Sequence, residues 1–276
     1  MIGQAVPQLN FVSFLQHTGP IAILLFVIVL MILCLLFRKS LQKEELTNPK
    51  QLMTMNESDY LIKGPLLYQS LLILLLTIIG FMLHPVLQVD LTIIALTGAI
   101  MLLLLSEKQL ETEKVFEQVE WVTLFFFIGL FMLVGGLEEV GVIDELARSI
   151  MWMTEGGDMA KTSLLLLWTS GLFSGIVDNI PFVAAMIPVI QEFESYGMAN
   201  LDPLWWSLAL GACLGGNATL IGASANVVVA GLAEASNNKI AFVKFMLYGI
   251  PIVILCLIIT TIYVYFRYLL PFQQPL

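Results

Sequence analysis

Two polar interruptions lie inside apolar runs of the sequence. One is Val177 to Pro181 (VDNIP), and the other is Gly215 to Asn226 (GGNATLIGASAN). Each run is otherwise apolar enough to enter a lipid bilayer, where an unpaired backbone group costs several kcal/mol. Broken backbone at that depth is tolerated only when it is buried in protein or lines a cavity. The two interruptions therefore predict the walls of an ion- or substrate-binding site.

The first interruption contains the only acid placed deep in a predicted membrane segment, Asp178. An intramembrane carboxylate costs about 2.5 to 3.5 kcal/mol on insertion scales, which makes it a candidate for ion binding or proton coupling. A carboxylate suits Na⁺ or H⁺, whereas a helix that begins beside it directs its positive dipole end toward an anion. Asp178, Asn179 and Pro181 also fit the start of a helix, so helix capping is the structural alternative.

The second interruption offers backbone and side-chain ligands of a different kind. Gly215 and Gly216 allow close backbone approach, and the freed carbonyls there could coordinate a cation. The amide of Asn217 and the hydroxyl of Thr219 could bind an oxyanion. Together with Asp178 they are the candidate ligands of a bound Na⁺, the only bound group that the sequence suggests.

Three further polar residues are candidate binding residues, and each of them could instead have a purely structural role. Ser224 and Asn226 are two residues apart on the following helix and do not share a face. Both could instead pair with backbone groups or join helices. Ser174, one turn before Asp178, either lines the site or is a small residue at a helix contact.

The composition is that of an integral membrane protein. Of 276 residues, 59% are hydrophobic and 12% are charged, and the mean hydropathy is +0.92. Soluble domains contain about 25% charged residues. No basic patch exists beyond the run after Phe37, so nucleic acid is not expected as a partner.

The elements that position these residues are predicted to be helical. Five apolar runs predict membrane spans, and a tight turn at His84-Pro85 joins the second span to the third. The spans are residues 21–37, 66–83, 91–105, 121–137 and 245–266. The remaining segments are a cytoplasmic linker at 38–64, an interfacial helix at 138–154, a re-entrant hairpin at 163–190 and a helix broken near mid-membrane at 204–235. The hairpin arms are too short to cross a core of about 30 Å.

The distribution of positive charge predicts an orientation. If residues 1–20 lie outside, nine of the twelve Lys and Arg residues fall in three cytoplasmic loops, at 38–64, 106–120 and 236–244. This positive-inside bias predicts a multi-pass protein of the cell (inner or plasma) membrane with the N-terminus of the chain outside. It also requires segment 163–190 to enter and leave on the same face.

The chain also contains an internal similarity. IGQAV and NFVSFLQHTGPIAILLF near the start resemble IGASA and AFVKFMLYGIPIVILCL near the end, so that Pro20 matches Pro251. Under the predicted orientation the helix after Pro20 runs inward and the helix after Pro251 runs outward. This indicates an inverted repeat.

SGIVDNIPFVAAMIPVI and GGNATLIGASANVVVAGLAE resemble signatures of the ion transporter superfamily. They are similar to the branch that includes arsenite efflux pumps, NhaD-type sodium/proton antiporters and the melanosomal P protein, with a citrate transporter-like domain. The resemblance implies an all-α integral membrane fold in which each of two inverted repeats supplies a re-entrant hairpin and a discontinuous helix. Residues 1–37 would be the tail of the first repeat and residues 65–276 the second repeat. The chain would then need an upstream first-repeat half or a homo-oligomer partner.

The leading functional hypothesis is a secondary transporter that moves a small ion by alternating access with Na⁺ or H⁺ coupling. The aspartate in VDNIP resembles the antiporter form of the motif, which slightly favours sodium/proton antiport. Transport of an anion, such as arsenite, chloride or a di- or tricarboxylate like citrate, stays open, as does a non-transporting membrane subunit.

Enzymatic activity is not expected. Gly222-Ala223-Ser224 is similar to the motif of intramembrane serine proteases, and Asp178 to the aspartyl type. Those chemistries need a histidine near the serine or a second intramembrane aspartate, and the sequence predicts neither. No catalytic residue is therefore proposed.

Overall fold

The computed structural model describes residues 1–39, 64–106, 112–117, 119–235 and 238–270, and its regular structure is entirely helical. Most of the linker predicted at 38–64, and Lys108 in the next loop, lie outside the described residues. The helices are α1 (Ile2–Ala5), α2 (Phe11–Leu36), α3 (Pro65–Leu87), α4 (Leu91–Leu105), α5 (Thr112–Glu117), α6 (Trp121–Glu139), α7 (Val142–Met153), α8 (Met159–Ser174), α9 (Asn179–Ser195), α10 (Asp202–Gly215), α11 (Ser224–Ala235) and α12 (Phe242–Val264). A π-helical segment, Tyr265–Leu269, continues α12.

Four of these elements are long and apolar enough to cross a membrane, which makes the chain a multi-pass membrane protein. They are Phe11–Leu36, Pro65–Leu87, Trp121–Glu139 and Phe242–Leu269. The third predicted span, residues 91–105, corresponds to α4, an apolar helix of 15 residues. At 1.5 Å per residue it is only about 22 Å long.

The chain divides into two compact units. One comprises Met1–Leu9, Leu15–Val27 and Val122–Leu276, and the other comprises Asn10–Phe14 and Ile28–Trp121. Both predicted interruptions lie in the first unit.

In the second unit, α3 and α4 pack closely through small residues. A Cβ atom on Gly80 would lie 2.8 Å from Cγ2 of Ile94.

The predicted turn at His84-Pro85 is wrong, because α3 continues through both residues to Leu87. Pro85 removes a single backbone hydrogen bond close to the helix end, which the helix tolerates. The turn lies instead at Gln88, in the left-handed region at φ 52°, whose N–H donates to the His84 carbonyl.

Two proline-containing helices of the predicted repeat share local structure. α2 begins at Phe11 and α12 at Phe242, and each continues through a proline nine residues later, Pro20 or Pro251. α2 therefore starts well before the predicted span at 21–37. The matched prolines agree with the repeat, whose inverted relation stays a prediction.

Helix α7 has the two-faced character predicted for residues 138–154. Its residues Ile143 and Ala147 are buried, whereas Trp152 is 84% exposed. Arg148 donates to the Tyr196 hydroxyl just after α9 and forms an ion pair of 2.8 Å with Asp144. These two contacts raise the pKa of the Arg148 guanidinium above its usual value. The interfacial position of α7 stays a prediction.

The core of the first unit is a contact between α8 and α10. A Cβ atom on Gly211 would collide with the Leu167 carbonyl, and one on Gly215 with the Gly171 carbonyl. In both contacts the two residues are 44 positions apart in the chain, so residue numbers rise in the same direction along both helices. The two helices therefore run parallel. α12 packs antiparallel to α8, since the Trp168 Nε1–H donates to Oγ1 of Thr261 over 3.0 Å, whereas Gly171, further along α8, meets the earlier residue Leu257. This packing brings the C-terminal ends of α8 and α10 together.

Candidate functional site

The first interruption is a break of four residues between α8 and α9. α8 ends at Ser174 and α9 begins at Asn179, so the segment 163–190 is not one continuous helix. Pro181 lies in the first turn of α9, where a backbone N–H has no partner within the helix and its absence costs little. The re-entrant course predicted for this segment stays a prediction, because no bilayer boundary is defined.

Asp178 occupies the N-cap position of α9, but its side chain does not cap the helix. Its backbone is at φ −50°, ψ 142°, and its carboxylate accepts no hydrogen bond from the first turn. Among the described residues the carboxylate makes no hydrogen bond or ion pair. The sequence therefore located the cap position correctly, whereas the capping hydrogen bond is absent.

The second interruption separates α10 from α11. α10 ends at Gly215, a 3-10 turn covers Gly216–Ala218, and Thr219 is extended at φ −133°, ψ 164°. α11 begins at Ser224. The helix predicted at 204–235 is therefore discontinuous.

The two breaks are in direct contact. Thr219 donates its hydroxyl proton to the Gly175 carbonyl over 2.7 Å and accepts the Gly222 N–H over 3.0 Å. A Cβ atom on Gly175 would lie 3.1 Å from Cβ of Ala218. The preceding residue, Ser174, donates to the Ala212 carbonyl over 2.6 Å. Side-chain hydroxyls thus satisfy backbone carbonyls across this contact, at Gly175 and at Ala212.

Asn226 fixes the second break from the start of α11. Its side-chain N–H groups donate to the Gly216 carbonyl over 2.9 Å and to the Thr219 carbonyl over 3.0 Å. Gly216 also lies close to the backbone of Gly222, because a Cβ atom on Gly216 would lie 2.7 Å from the Gly222 carbonyl. These contacts hold the freed carbonyls of the break in a defined arrangement.

Apart from Pro181, which lies in the first turn of α9, the predicted site residues therefore fall into two groups. Those of the first group are built into the junction between the breaks by hydrogen bonds or close backbone contact: Ser174, Gly215, Gly216, Thr219 and Asn226. Those of the second group keep polar side-chain atoms without a partner within the described parts of the chain: Asp178, Asn179, Asn217 and Ser224. The only side-chain bonds of Asn217 are weak ones from its N–H group to carbonyls of its own helix, at 3.3 and 3.5 Å.

The oxygen atoms at the junction have the chemistry that Na⁺ prefers. Asp178 offers a carboxylate, Asn217 an amide oxygen, and Thr219 one remaining lone pair beyond its two hydrogen bonds. No group of three or more His, Cys, Asp or Glu side chains is placed to hold a metal ion among the described residues.

Of the glycines at the α8–α10 contact, only Gly215 was identified from the sequence. Gly171 on α8 and Gly175 directly after its end are four residues apart, and Gly211 and Gly215 have the same spacing on α10. This small-xxx-small pattern marks close helix contacts in membranes and was visible in the sequence. Gly249 of α12 is another close-contact glycine that was not identified from the sequence, since a Cβ atom there would lie 2.7 Å from the Asn217 carbonyl.

Comparison with known proteins shows similarity over nearly the whole chain. The family model described as citrate transporter matches residues 1–211. An uncharacterised transporter of Mycobacterium bovis is 36% identical over 263 residues, covering 94% of this chain and 60% of the relative. A 46 kDa membrane protein of Mycobacterium leprae is 37% identical over 262 residues, with the same coverage. The human P protein is 36% identical over 227 residues, covering 79% of this chain and 27% of the relative.

The chain spans about 60% of the length of these Mycobacterium relatives. No solved structure matches it significantly. The family match extends over more than half of the chain and includes the first break, and the P protein was expected from the motifs at both breaks. The chain therefore belongs to the citrate transporter family, within the ion transporter superfamily.

Proposed function

We propose that the protein acts in secondary transport, moving a small ion across the bilayer by alternating access with Na⁺ or H⁺ coupling. The observation that carries this proposal is the Asp178 carboxylate, which has no partner among the described residues and lies at the break that contacts Thr219. A carboxylate at membrane depth is costly, so a chain that retains one without a structural partner retains it for a ligand. Within this proposal, Asp178 binds Na⁺ or carries the coupled proton, and sodium/proton antiport is the form that its motif slightly favours.

A second candidate is transport of an anion, such as citrate. It is supported by the description of the family and by the start of α9, whose first N–H groups are not capped by Asp178. A helix start attracts anions through these N–H groups and its dipole. A cation on Asp178 would lower the repulsion between that carboxylate and a bound carboxylate. Both candidates therefore use the same break.

We also propose that another polypeptide segment covers the exposed side of the junction. Ile176 and Val177 of the first break and Ile221 of the second are exposed, beside the free polar atoms of Asp178 and Asn217. Lipid cannot satisfy such polar atoms. The occupant is either a first-repeat half, in agreement with the greater length of the relatives, or a second copy of the chain.

The test is ion flux in proteoliposomes that contain the chain alone or together with a polypeptide supplying a first repeat. Uptake of radiolabelled Na⁺, arsenite and citrate is measured under an imposed pH or Na⁺ gradient. We expect Asp178→Asn to reduce coupled flux at least about tenfold, because the neutral amide neither carries a proton nor neutralises Na⁺.

The matched control is Asp158→Asn, in which the same chemical change falls at the start of α8. Asp158 caps that helix by accepting the Lys161 N–H over 2.8 Å, and asparagine caps equally well. This control should transport at the wild-type rate. Equal flux in Asp178→Asn and Asp158→Asn would remove Asp178 from the mechanism, and no flux in either preparation would favour a non-transporting membrane subunit.

A further inference from the structure

A cavity of about 420 Å³ lies between α1, α6 and α9, and its lining residues all belong to the first compact unit. On α6 the lining residues run from Phe131 to Glu138, and on α9 they run from Ala184 to Gln191. Each run covers about 10 Å of helix at 1.5 Å per residue. Cavities of about 300 to 1,000 Å³ hold small organic molecules, so the volume admits a ligand of that class.

The polar side chains that α6 and α9 contribute lie at the same end of this cavity. α6 leads directly into α7, and the Tyr196 hydroxyl, just after α9, donates to the Asp144 carboxylate of α7. The last turns of α6 and α9 therefore lie beside the same helix. Glu138 and Gln191 belong to these turns, and both are exposed. Neither side chain makes a hydrogen bond or an ion pair with another described residue.

Pro188 adds a backbone acceptor to the cavity. Proline has no N–H, so the Ala184 carbonyl, four residues earlier on α9, lacks its usual helical partner. Ala184 is only 4% exposed and lines the cavity. A buried carbonyl without a donor is unfavourable, which favours a ligand that donates a hydrogen bond there. The carboxylate of Glu138 and this carbonyl can only accept hydrogen bonds.

The rest of the cavity wall is largely apolar. Phe131 and Val134 line it from α6, and Ile187 lines it from α9. Met1 of α1 also borders the cavity, and burial lowers the pKa of its amine below the ordinary value, which weakens a competing positive charge. The cavity thus combines hydrogen-bond acceptors and the negative charge of Glu138 with an apolar wall.

We propose that this cavity binds a small organic amine in its protonated form. The ammonium group donates to the Glu138 carboxylate, the Gln191 amide oxygen and the Ala184 carbonyl, and the apolar part of the molecule packs against the apolar wall. A primary ammonium carries three donors and a positive charge, as these acceptors require. A metal ion would leave the apolar wall unused. The occupant joins α6 to α9, the helix whose N-cap is Asp178, but the proposal does not depend on which ion is transported.

The test uses the whole chain in phosphatidylcholine nanodiscs and three probes with the same apolar part: hexylammonium, hexanol and hexanoate. The Kd of each probe is obtained from the rise of Tm with probe concentration, since a ligand that binds only the folded state raises Tm. Hexylammonium should bind at least about fivefold more tightly than hexanol, because only the ammonium pairs with a carboxylate. Hexanoate should not bind. Equal binding of hexylammonium and hexanol would overturn the proposal and indicate a groove for acyl chains, and tighter binding of hexanoate would overturn it as well.

Two neighbouring acids of α6 test the role of the carboxylate. Glu138→Gln removes the charge but keeps the size of the side chain, so hexylammonium should bind about fivefold more weakly. Glu139→Gln is the matched control, because Glu139 is the next residue and is not part of the cavity lining, and it should bind as wild type does. Equal Kd values for the two variants would contradict the proposed contact with Glu138.

Two neighbouring glycines of α6 test the space itself. Gly135 lines the cavity, and a Cβ atom on it meets nothing within 4 Å, so Gly135→Leu should fill the cavity without a backbone clash and abolish binding. A Cβ atom on Gly136 also meets nothing within 4 Å, but Gly136 is not part of the lining, so Gly136→Leu should keep the wild-type Kd. Binding retained by Gly135→Leu would place the amine elsewhere and overturn the proposal.

A soluble amine and the headgroup of phosphatidylethanolamine share the proposed chemistry. The two sources are separated by repeating the hexylammonium titration in nanodiscs that also contain phosphatidylethanolamine. Weaker binding of hexylammonium to wild type, with no such change in Gly135→Leu, would identify the lipid as a competing occupant of the cavity. An unchanged Kd would identify soluble amines as the ligands.

Discussion

The two helix breaks differ in what their polar side chains bind. At the break between α10 and α11, Thr219 and Asn226 direct their hydroxyl and amide groups to backbone atoms of the two breaks. At the break between α8 and α9, the Asp178 carboxylate binds no described group. Both breaks interrupt the hydrogen-bond ladder of a helix, yet only the second is bridged by hydrogen bonds from its own side chains. The difference supports the proposal that Asp178 at the first break binds a ligand, whereas the hydrogen bonds of Thr219 and Asn226 hold the second break in place.

The largest loss of stability is expected where α8 and α10, which carry the two breaks, approach each other through backbone atoms alone. In Gly215→Ala, the new Cβ atom collides with the Gly171 carbonyl, and two packed helices must separate. Overpacking of this kind costs about 1 to 3 kcal/mol, and we expect the upper end because the atom that is met is backbone. Thermal unfolding in detergent measures the loss.

The control for that change is Gly129→Ala in α6. A Cβ atom on Gly129 meets nothing within 4 Å, so alanine should leave the stability unchanged or raise it by up to about 1 kcal/mol. Equal stability of the two variants would contradict the close approach of α8 and α10.

Removal of the bridging hydroxyl tests the junction itself. In Thr219→Val, the Gly175 carbonyl and the Gly222 N–H both lose their partner, and an unsatisfied buried group costs about 1 to 3 kcal/mol. Thr169→Val is the matched control, since the Thr169 hydroxyl bonds only to carbonyls of its own helix. A chemical denaturation series should rank Thr219→Val clearly below Thr169→Val, and the reverse order would argue against a scaffold at the second break.

A smaller effect is expected from the two asparagines of the second break. Asn226→Ala removes two hydrogen bonds to carbonyls and should cost about 1 kcal/mol. Asn217→Ala removes only weak bonds at an exposed position and should cost less than about 0.5 kcal/mol. Tm values of the two variants provide the comparison, which fails if Asn217→Ala is the more damaging.

The smallest change in stability belongs to Asp178→Asn. Because the carboxylate makes no described hydrogen bond, its neutralisation should alter the free energy of unfolding by less than about 0.5 kcal/mol in the absence of ligand. Unfolding is measured in ligand-free buffer beside Asp158→Asn. A large loss of stability would indicate a structural partner for Asp178 and would make the two breaks alike.

Local sequence signals predicted the breaks well, because polar and helix-breaking residues inside an apolar run act on their own segment. The same reasoning failed at His84-Pro85, where a proline near a helix end was taken for the turn itself. It also did not extend the first long helix back to Phe11, since α2 accommodates Pro20. Proline marks a weakened turn of a helix, and whether the helix continues depends on its tertiary contacts.

The residue types of the candidate site could be predicted from the sequence. Which of these residues make structural hydrogen bonds, and which stay available for a ligand, could not. From the sequence alone, Thr219 and Asp178 were both candidates for binding a ligand. In the structure, however, Thr219 donates a hydrogen bond to the Gly175 carbonyl, 44 residues away along the chain. That bond follows from the parallel packing of α8 on α10, a long-range register that periodicity within one segment does not encode. The paired Gly-xxx-Gly spacings were the one sequence signal for this register.

The most direct test of the difference between the breaks is thermal unfolding of the chain with and without Na⁺, citrate and arsenite. A ligand at 100 times its Kd stabilises by about 2.7 kcal/mol, so the transported or coupled ion should raise Tm by several degrees. We predict that Asn226→Ala starts from a lower Tm but keeps this increase, whereas Asp178→Asn starts near wild type and loses it. An increase retained by Asp178→Asn would contradict the assignment of the first break as the ligand site.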